Sequence, residues 1–259
     1  MAIVTPVVAG IIGLAVGWAL GVVIHRVPNR ESVIRPRPHC DSCQAPLAVA
    51  DLIPVLGWIR LRGRCRTCGQ PIGWRYPFVE VANAALFVAA AIRFGTSWAL
   101  PAFCIFFGAL LAVSVIDLER MIIPNRIVYP TLAAVAPLLV LAAVTGGSWE
   151  PLRDAALGGA ASFLALLVVH LVSPRGMGFG DVRLGGVDGV MLGWLGLRFV
   201  FLGVFVGFAL GSVIGIGLIA TRLRSRRDAL PFGPFMAAGA VVVVLWGHAI
   251  LGRYPTGRL

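Results

Sequence analysis

The sequence predicts an all-α polytopic membrane protein. It has about eight transmembrane helices, with a small cysteine-bearing domain inserted between the first and second. Three observations carry the prediction. Hydrophobic residues make up 59% of the 259-residue chain, charged residues only 13%, and mean hydropathy is +0.92. A soluble globule holds roughly 45–50% apolar and about 25% charged residues. Apolar runs recur at close to the ~20 residues that a helix needs to cross a hydrocarbon core of about 30 Å. Only residues 26–77, rich in Arg, Pro and Cys, break the pattern at length. A water-soluble enzyme and a disordered chain are excluded. The formal charge of +11 points toward nucleic acid at first sight, but every one of the 22 basic residues is Arg, set between apolar runs. The expected partner is the lipid bilayer and not nucleic acid.

Taken in order, the first span is about 5–25. No basic segment precedes it and its basic residues follow it, so it reads as a retained helix and not a cleaved signal. The interval 26–77 cannot span. Further spans follow at about 78–95, 98–116, 122–145, 152–173, 182–196, 199–221 and 232–251, the sixth of the eight being short and Gly-rich. The chain therefore divides into a first transmembrane helix (1–25), a four-cysteine domain (26–77) and a transmembrane domain (78–259). No internal repeat is evident. With 26–77 in the cytosol, seventeen Arg residues fall on the inner side. They are Arg26, Arg30, Arg35, Arg37, Arg60, Arg62, Arg64, Arg66, Arg75, Arg120, Arg126, Arg175, Arg183, Arg222, Arg224, Arg226 and Arg227. Five are left outside: Arg93, Arg153, Arg198, Arg253 and Arg258. The positive-inside rule favours that orientation, with both termini outward.

Four of the five cysteines form two knuckles, Cys40-Asp41-Ser42-Cys43 and Cys65-Arg66-Thr67-Cys68. Each C-x-x-C turn lets two thiolates grip one tetrahedral ion, and the separation of the pairs suits a four-thiolate zinc site. Gly69 suits the tight turn after the second knuckle. A domain of this size has little core, so a bound metal would contribute folding free energy. The alternative, two disulfides, fits a reducing cytosol poorly. With four protein ligands no position remains for water, so the zinc is expected to be structural. His39, beside Cys40, is a spare ligand or a loop residue. Cys104 lies within a span and reads as a small buried hydrophobe.

Charged groups at membrane depth cost about 2.5–3.5 kcal/mol each on insertion scales and mark function. Among the acids in or at the ends of spans, three stand out: Asp117, Asp181 and Asp188. Asp117 ends the third span and Asp181 begins the sixth. By the orientation above, both sit at the cytosolic ends of their helices. Two carboxylates at one depth can share a proton and activate a water, as in aspartic proteases. The plainer readings are an interfacial anchor for Asp117 and an N-cap for Asp181. The glycines of Gly176-Met177-Gly178-Phe179-Gly180 favour the catalytic reading at Asp181, because they permit the close backbone approach of a substrate strand. The helix ends also differ. The C-terminal carbonyls near Asp117 disfavour its ionised form and the amides near Asp181 favour it, so Asp117 is expected to hold the shared proton.

At these residues the chain resembles the type IV prepilin peptidase family, bifunctional leader peptidases and N-methyltransferases of pilus and type II secretion systems. The resemblance runs through Val22-Val23-Ile24-His25-Arg26-Val27-Pro28 at the end of the first helix. It continues through Cys40 to Pro77, with Arg62-Gly63-Arg64-Cys65 and Trp74-Arg75-Tyr76-Pro77. It then includes Asp117 followed by Ile123-Pro124-Asn125, and the G-x-G-D stretch Gly178-Phe179-Gly180-Asp181-Val182, shared with presenilins. It ends at Pro231-Phe232-Gly233-Pro234-Phe235. The resemblance implies a multi-pass aspartic endopeptidase of the bacterial cytoplasmic (inner) membrane, using Asp117 and Asp181. It implies type IV prepilin or pseudopilin substrates, cut on the cytosolic side after a short basic leader. Methylation of the new N-terminal residue from S-adenosylmethionine would follow, since family members with the cysteine domain are the ones regarded as methyltransferases. The sequence departs from the pattern at Arg183, where Lys is common, and at Asp188, where an apolar residue is common. Asp188 lies seven residues after Asp181, on the same helical face, and is expected to face a polar cavity or pair with a polar group.

Among residues that would draw a basic leader, Glu31, Asp41, Asp51, Glu80 and Glu119 lie on the inner side. A polytopic transporter with a zinc-stabilised cytosolic module is the alternative; it predicts inverted repeats. A zinc protease would need His ligands at helical spacing, as in H-E-x-x-H, and His25, His39, His170 and His248 have no such neighbours. A binding-only module, with the cysteine domain as an interaction platform, is a third reading.

Overall fold

The computed structural model describes residues 3–35, 38–40, 42–174, 176–223, 225, 228 and 230–252. Arg37, Asp41, Arg175, Arg224, Arg226, Arg227, Arg253 and Arg258 lie outside the described residues. The chain forms two compact units, Met1–Gly95 and Thr96–Leu259.

The first unit contains α1 (Val4–Arg26), a short 3-10 turn (Val49–Asp51), α2 (Leu56–Arg60) and α3 (Arg75–Phe94). The backbones of α1 and α3 meet where α1 carries glycines. A Cβ on Gly13 would stand 2.7 Å from Ala84 Cα, and one on Gly17 would stand 2.6 Å from Glu80 Cα. Small residues at such a crossing are the usual device for packing helices in lipid, where no hydrophobic drive brings them together. Asn83 Nδ2 donates to Gly13 O at 2.7 Å, giving a buried amide in the span its partner.

The second unit contains α4 (Ala99–Arg120), α5 (Asn125–Gly146), α6 (Glu150–Val172), α7 (Phe179–Gly193), α8 (Leu197–Ala220) and α9 (Gly233–Ile250). The fully buried Phe103, Phe106 and Phe107 place α4 at its core. Helices α6 and α7 also cross on glycine. A Cβ on Gly158 would stand 2.6 Å from Gly189 O, and Gly189 faces the Gly158 carbonyl in return.

Among the described residues, seven helices are long and apolar enough to cross a membrane: α1, α3, α4, α5, α6, α8 and α9. The remaining expected span, at 182–196, is α7. It has 15 residues, about 22 Å of helix, so it falls short of a bilayer core by itself. It also starts three residues earlier than the apolar run, for a reason found in its first turn. There Asp181 is the third helical residue, and its Oδ2 accepts from the N-cap amide of Gly178 at 3.0 Å. Helix α3 likewise starts early, at Arg75, with Pro77 in its first turn. Proline is tolerated there because those amides have no intrahelical acceptor.

The crossings predict unequal costs for glycine substitutions. Gly189→Ala should lower the thermal midpoint in detergent, because backbone and not a movable side chain fills the space. Gly217→Ala on α8, with nothing within 4 Å, should be neutral or raise stability by up to about 1 kcal/mol through helix propensity. Equal midpoints for the two variants would contradict the close crossing.

Candidate functional site

The second unit places Asp117 and Asp181 together. Asp117 lies in the last turns of α4 and is 5% exposed; Asp181 lies in the first turn of α7 and is 8% exposed. Each carboxylate accepts one backbone amide through Oδ2. Gly178 N donates to Asp181 at 3.0 Å, and Gly233 N, at the start of α9, donates to Asp117 at 2.9 Å. The two acids are near enough to interact electrostatically. Ile123 fills the space beside them. A Cβ on Gly180 would stand 2.9 Å from Ile123 Cβ, and one on Gly233 would stand 3.3 Å from Ile123 Cδ1 and 2.8 Å from Asp117 Oδ2. Glycine at 180 and 233 is therefore required by space. Four helix ends converge here: the C-terminus of α4 and the N-termini of α5, α7 and α9. Arg183 ties two of them by donating to Asn125 Oδ1, while its Nε reaches Phe179 O at 3.2 Å and its guanidinium lies over the Phe179 ring.

Asp181 is not the N-cap residue, since Gly178 occupies that position. It still serves the helix end, accepting the Gly178 amide from the third helical position. Asp188, two turns deeper on α7, is 6% exposed and its Oδ1 has no partner. It faces a cavity of about 20 Å³ that it shares with the unpartnered Ser162 Oγ of α6. A space of that size has room for one water, which the Asp188 and Ser162 oxygens would meet within an otherwise apolar lining.

The first unit brings Cys40, Cys43, Cys65 and Cys68 together, with all four Sγ atoms within 4.8 Å of one another. Cys40 and Cys68 Sγ are 3.8 Å apart, and Cys43 and Cys65 are 4.0 Å apart. A tetrahedron with metal–sulfur arms of about 2.3 Å has edges of roughly 3.8 Å, so the four thiols fit a single metal ion. The knuckles are copies of one another, a short repeat that the sequence reading did not find. In the first, Cys40 N donates to Ala45 O, Gln44 N returns to Cys40 O, and His39 bridges to Pro46. In the second, Cys65 N donates to Gln70 O, Gly69 N returns to Cys65 O, and Arg64 bridges to Pro71. Gln44 and Gly69 both take positive φ, 58° and 70°. The Cys68 and Thr67 amides pull the Cys65 thiol down from its ordinary value to about 6, which favours the thiolate that a metal binds. Arg66 clamps the second knuckle to the turn at Asp51 with a two-pronged ion pair and holds the Asp51 carboxyl below its usual range. His39 is not among the converging ligands. Cys104 is buried within α4, as expected of a small hydrophobe.

Sequence reasoning did not foresee the Gly233 amide on Asp117, the spacer role of Ile123 or the Arg183–Asn125 contact. Gly233, Ile123 and Asn125 lie inside quoted stretches and Arg183 just after one, but a backbone donor such as the Gly233 amide leaves no mark in side-chain chemistry.

Comparison with known proteins places both units in one lineage. The description "Bacterial Peptidase A24 N-terminal domain" matches residues 11–94, and "Type IV leader peptidase family" matches residues 104–220. A prepilin leader peptidase/N-methyltransferase of Aeromonas hydrophila is 34% identical, over 95% of this chain and 92% of its own. One of the same name from Bacillus subtilis (strain 168) is 36% identical, over 88% of this chain and 89% of its own. A third, from Burkholderia pseudomallei (strain 1026b), is 36% identical, over 92% and 84%. No solved structure matches the chain significantly.

The Gly233–Asp117 bond separates two substitutions of similar size. Asp117→Asn keeps an oxygen for the Gly233 amide, whereas Asp117→Leu leaves that buried N–H unsatisfied, at a cost of about 1–3 kcal/mol. Thermal unfolding in detergent should rank Asn above Leu. Indistinguishable midpoints would remove the bond from the account.

Proposed function

Because the chain belongs to the type IV leader peptidase family, we propose that it removes the leader of type IV prepilins or pseudopilins and methylates the new N-terminus. The observation that supports this most is the joint burial of Asp117 and Asp181, each held by one glycine amide. With Oδ2 of each acid so occupied, the Oδ1 atoms are left for a shared water. The pair holds one proton. The ionised carboxylate takes a proton from the water as the oxygen attacks the scissile carbonyl. The protonated carboxyl stabilises the developing oxyanion. The Gly233 amide gives Asp117 the same support that Gly178 gives Asp181, so it offsets the asymmetry expected from the helix ends alone. Glycine at 180 and 233 lets Ile123 and the Asp117 carboxylate pack directly against the backbone beside the acids. The transporter reading has no support among the relatives.

The protein is then a multi-pass enzyme of the bacterial inner membrane, with the cysteine domain in the cytosol. Seventeen Arg residues on the inner side support that orientation, and a prepilin presents its basic leader there. Cys40, Cys43, Cys65 and Cys68 would hold a structural zinc, which contributes folding free energy and no open coordination position. S-adenosylmethionine, when bound, supplies a methyl on a sulfonium: the N–C bond forms from the amine lone pair, the C–S pair returns to sulfur, and the proton lost from the starting ammonium goes to water.

Incubating the purified protein with a prepilin tests the reading by mass spectrometry. The expected product lacks its leader and carries one added methyl; an intact prepilin would overturn the reading. Cys43→Ser should lose zinc and methylation at enzyme levels where cleavage persists, because the cysteine site shapes the first unit and the acids lie in the second. Equal loss of both activities would contradict that separation.

A further inference from the structure

Two activities need two reaction centres, and the paired acids lie wholly in the second unit. The first unit holds a separate cavity of about 280 Å³, lined only by its own residues. That volume lies near the lower end of the roughly 300–1,000 Å³ of small-ligand sites. We propose that this cavity binds S-adenosylmethionine, with Glu80 facing the sulfonium; the inference rests on the methyltransferase reading above.

The wall chemistry fits a cationic nucleoside. Glu80 is 6% exposed and has no cationic partner among the described residues. Its Oε2 accepts the Val55 amide at 2.6 Å, its one partner among the described residues. The wall also carries Arg26, His25, Glu31 and Asp51, but a buried carboxylate with no ion-pair partner is costly, and a bound cation relieves that cost. Tyr76 lies one helical turn before Glu80 on α3, so ring and carboxylate share a face. Trp18 of α1 and Trp58 of α2 complete an aromatic lining. Aromatic faces attract onium cations and stack on purines. The indole of Trp58 is fixed by donation to Ile72 O at 3.0 Å. Arg26, buried and also in the wall, supplies the positive charge that the carboxylate end of the ligand requires. One cavity thus offers a negative group for the sulfonium, aromatic rings for the base and a positive group for the amino-acid end.

Binding to the purified full chain tests this by equilibrium dialysis, using S-adenosylmethionine and S-adenosylhomocysteine, whose sulfur is neutral. Glu80→Gln should weaken S-adenosylmethionine by about tenfold or more while changing S-adenosylhomocysteine by less than about threefold. Glu80→Asp should recover part of the preference for the cation. Trp18→Leu should weaken both ligands alike. Unchanged zinc content and thermal midpoint show that the variants are folded. If the wild type binds S-adenosylmethionine and neither Glu80→Gln nor Trp18→Leu alters it by more than about twofold, the donor sits elsewhere and the proposal is overturned. If the wild type cuts a prepilin but binds neither ligand, the methyltransferase reading itself is overturned.

Discussion

The Gly233 amide that donates to Asp117 joins residues 116 positions apart, and the order of the second unit depends on that join. A carboxylate buried at a helix end within an apolar unit has little water to satisfy it. Asp117 must therefore be met by the protein, and α9 begins where it can do so. Asp181 is met from its own helix start by Gly178. Donors to charged groups contribute about 1.5–3 kcal/mol, so the Gly233 bond helps to hold α9 against α4 while the Gly178 bond fixes the start of α7. The same donors fix one oxygen of each acid and leave the other to chemistry. Stability and function are served by one arrangement.

Close packing follows from the same solvent. Lipid gives helices no reason to associate, so the chain brings backbones into contact through glycine at 13 and 17 on α1 and at 158 and 189 on α6 and α7. At 180 and 233 the missing side chain serves the site instead, since Ile123 and Asp117 take the space. The Gly-rich helix α7 has only 15 residues yet packs among longer ones.

Much of this was legible in the sequence. Each apolar run is a helix, since in a bilayer a lone segment of that length satisfies its own backbone only as a helix. Asp117 and Asp181 stood out because charge at depth is costly, and the cysteines because their spacing suits one ion. The helix ends were less legible. The apolar run opens at Val182, so residues 179–181 fall outside the expected span, and only the carboxylate folded back onto Gly178 shows why the helix starts at Phe179. The partner of Asp117 was hidden because it is an amide, a group that every residue but proline carries. Asp188 was seen as out of place, but not the unpartnered Ser162 across its cavity. The likeness of the two knuckles was missed because only their cysteines, and a proline three residues after each second cysteine, are identical in sequence.

The central claim is that Asp117 and Asp181 act as one unit. Cleavage kcat/KM measured for Asp117→Asn, for Asp181→Asn and for the double variant tests it most directly. If the carboxylates share one proton and one water, each single change removes the whole device. The three variants should then fall to the same background, by about 10⁴-fold or more, with no added loss in the double. A single variant within about tenfold of the wild type, or losses that multiply in the double, would contradict it.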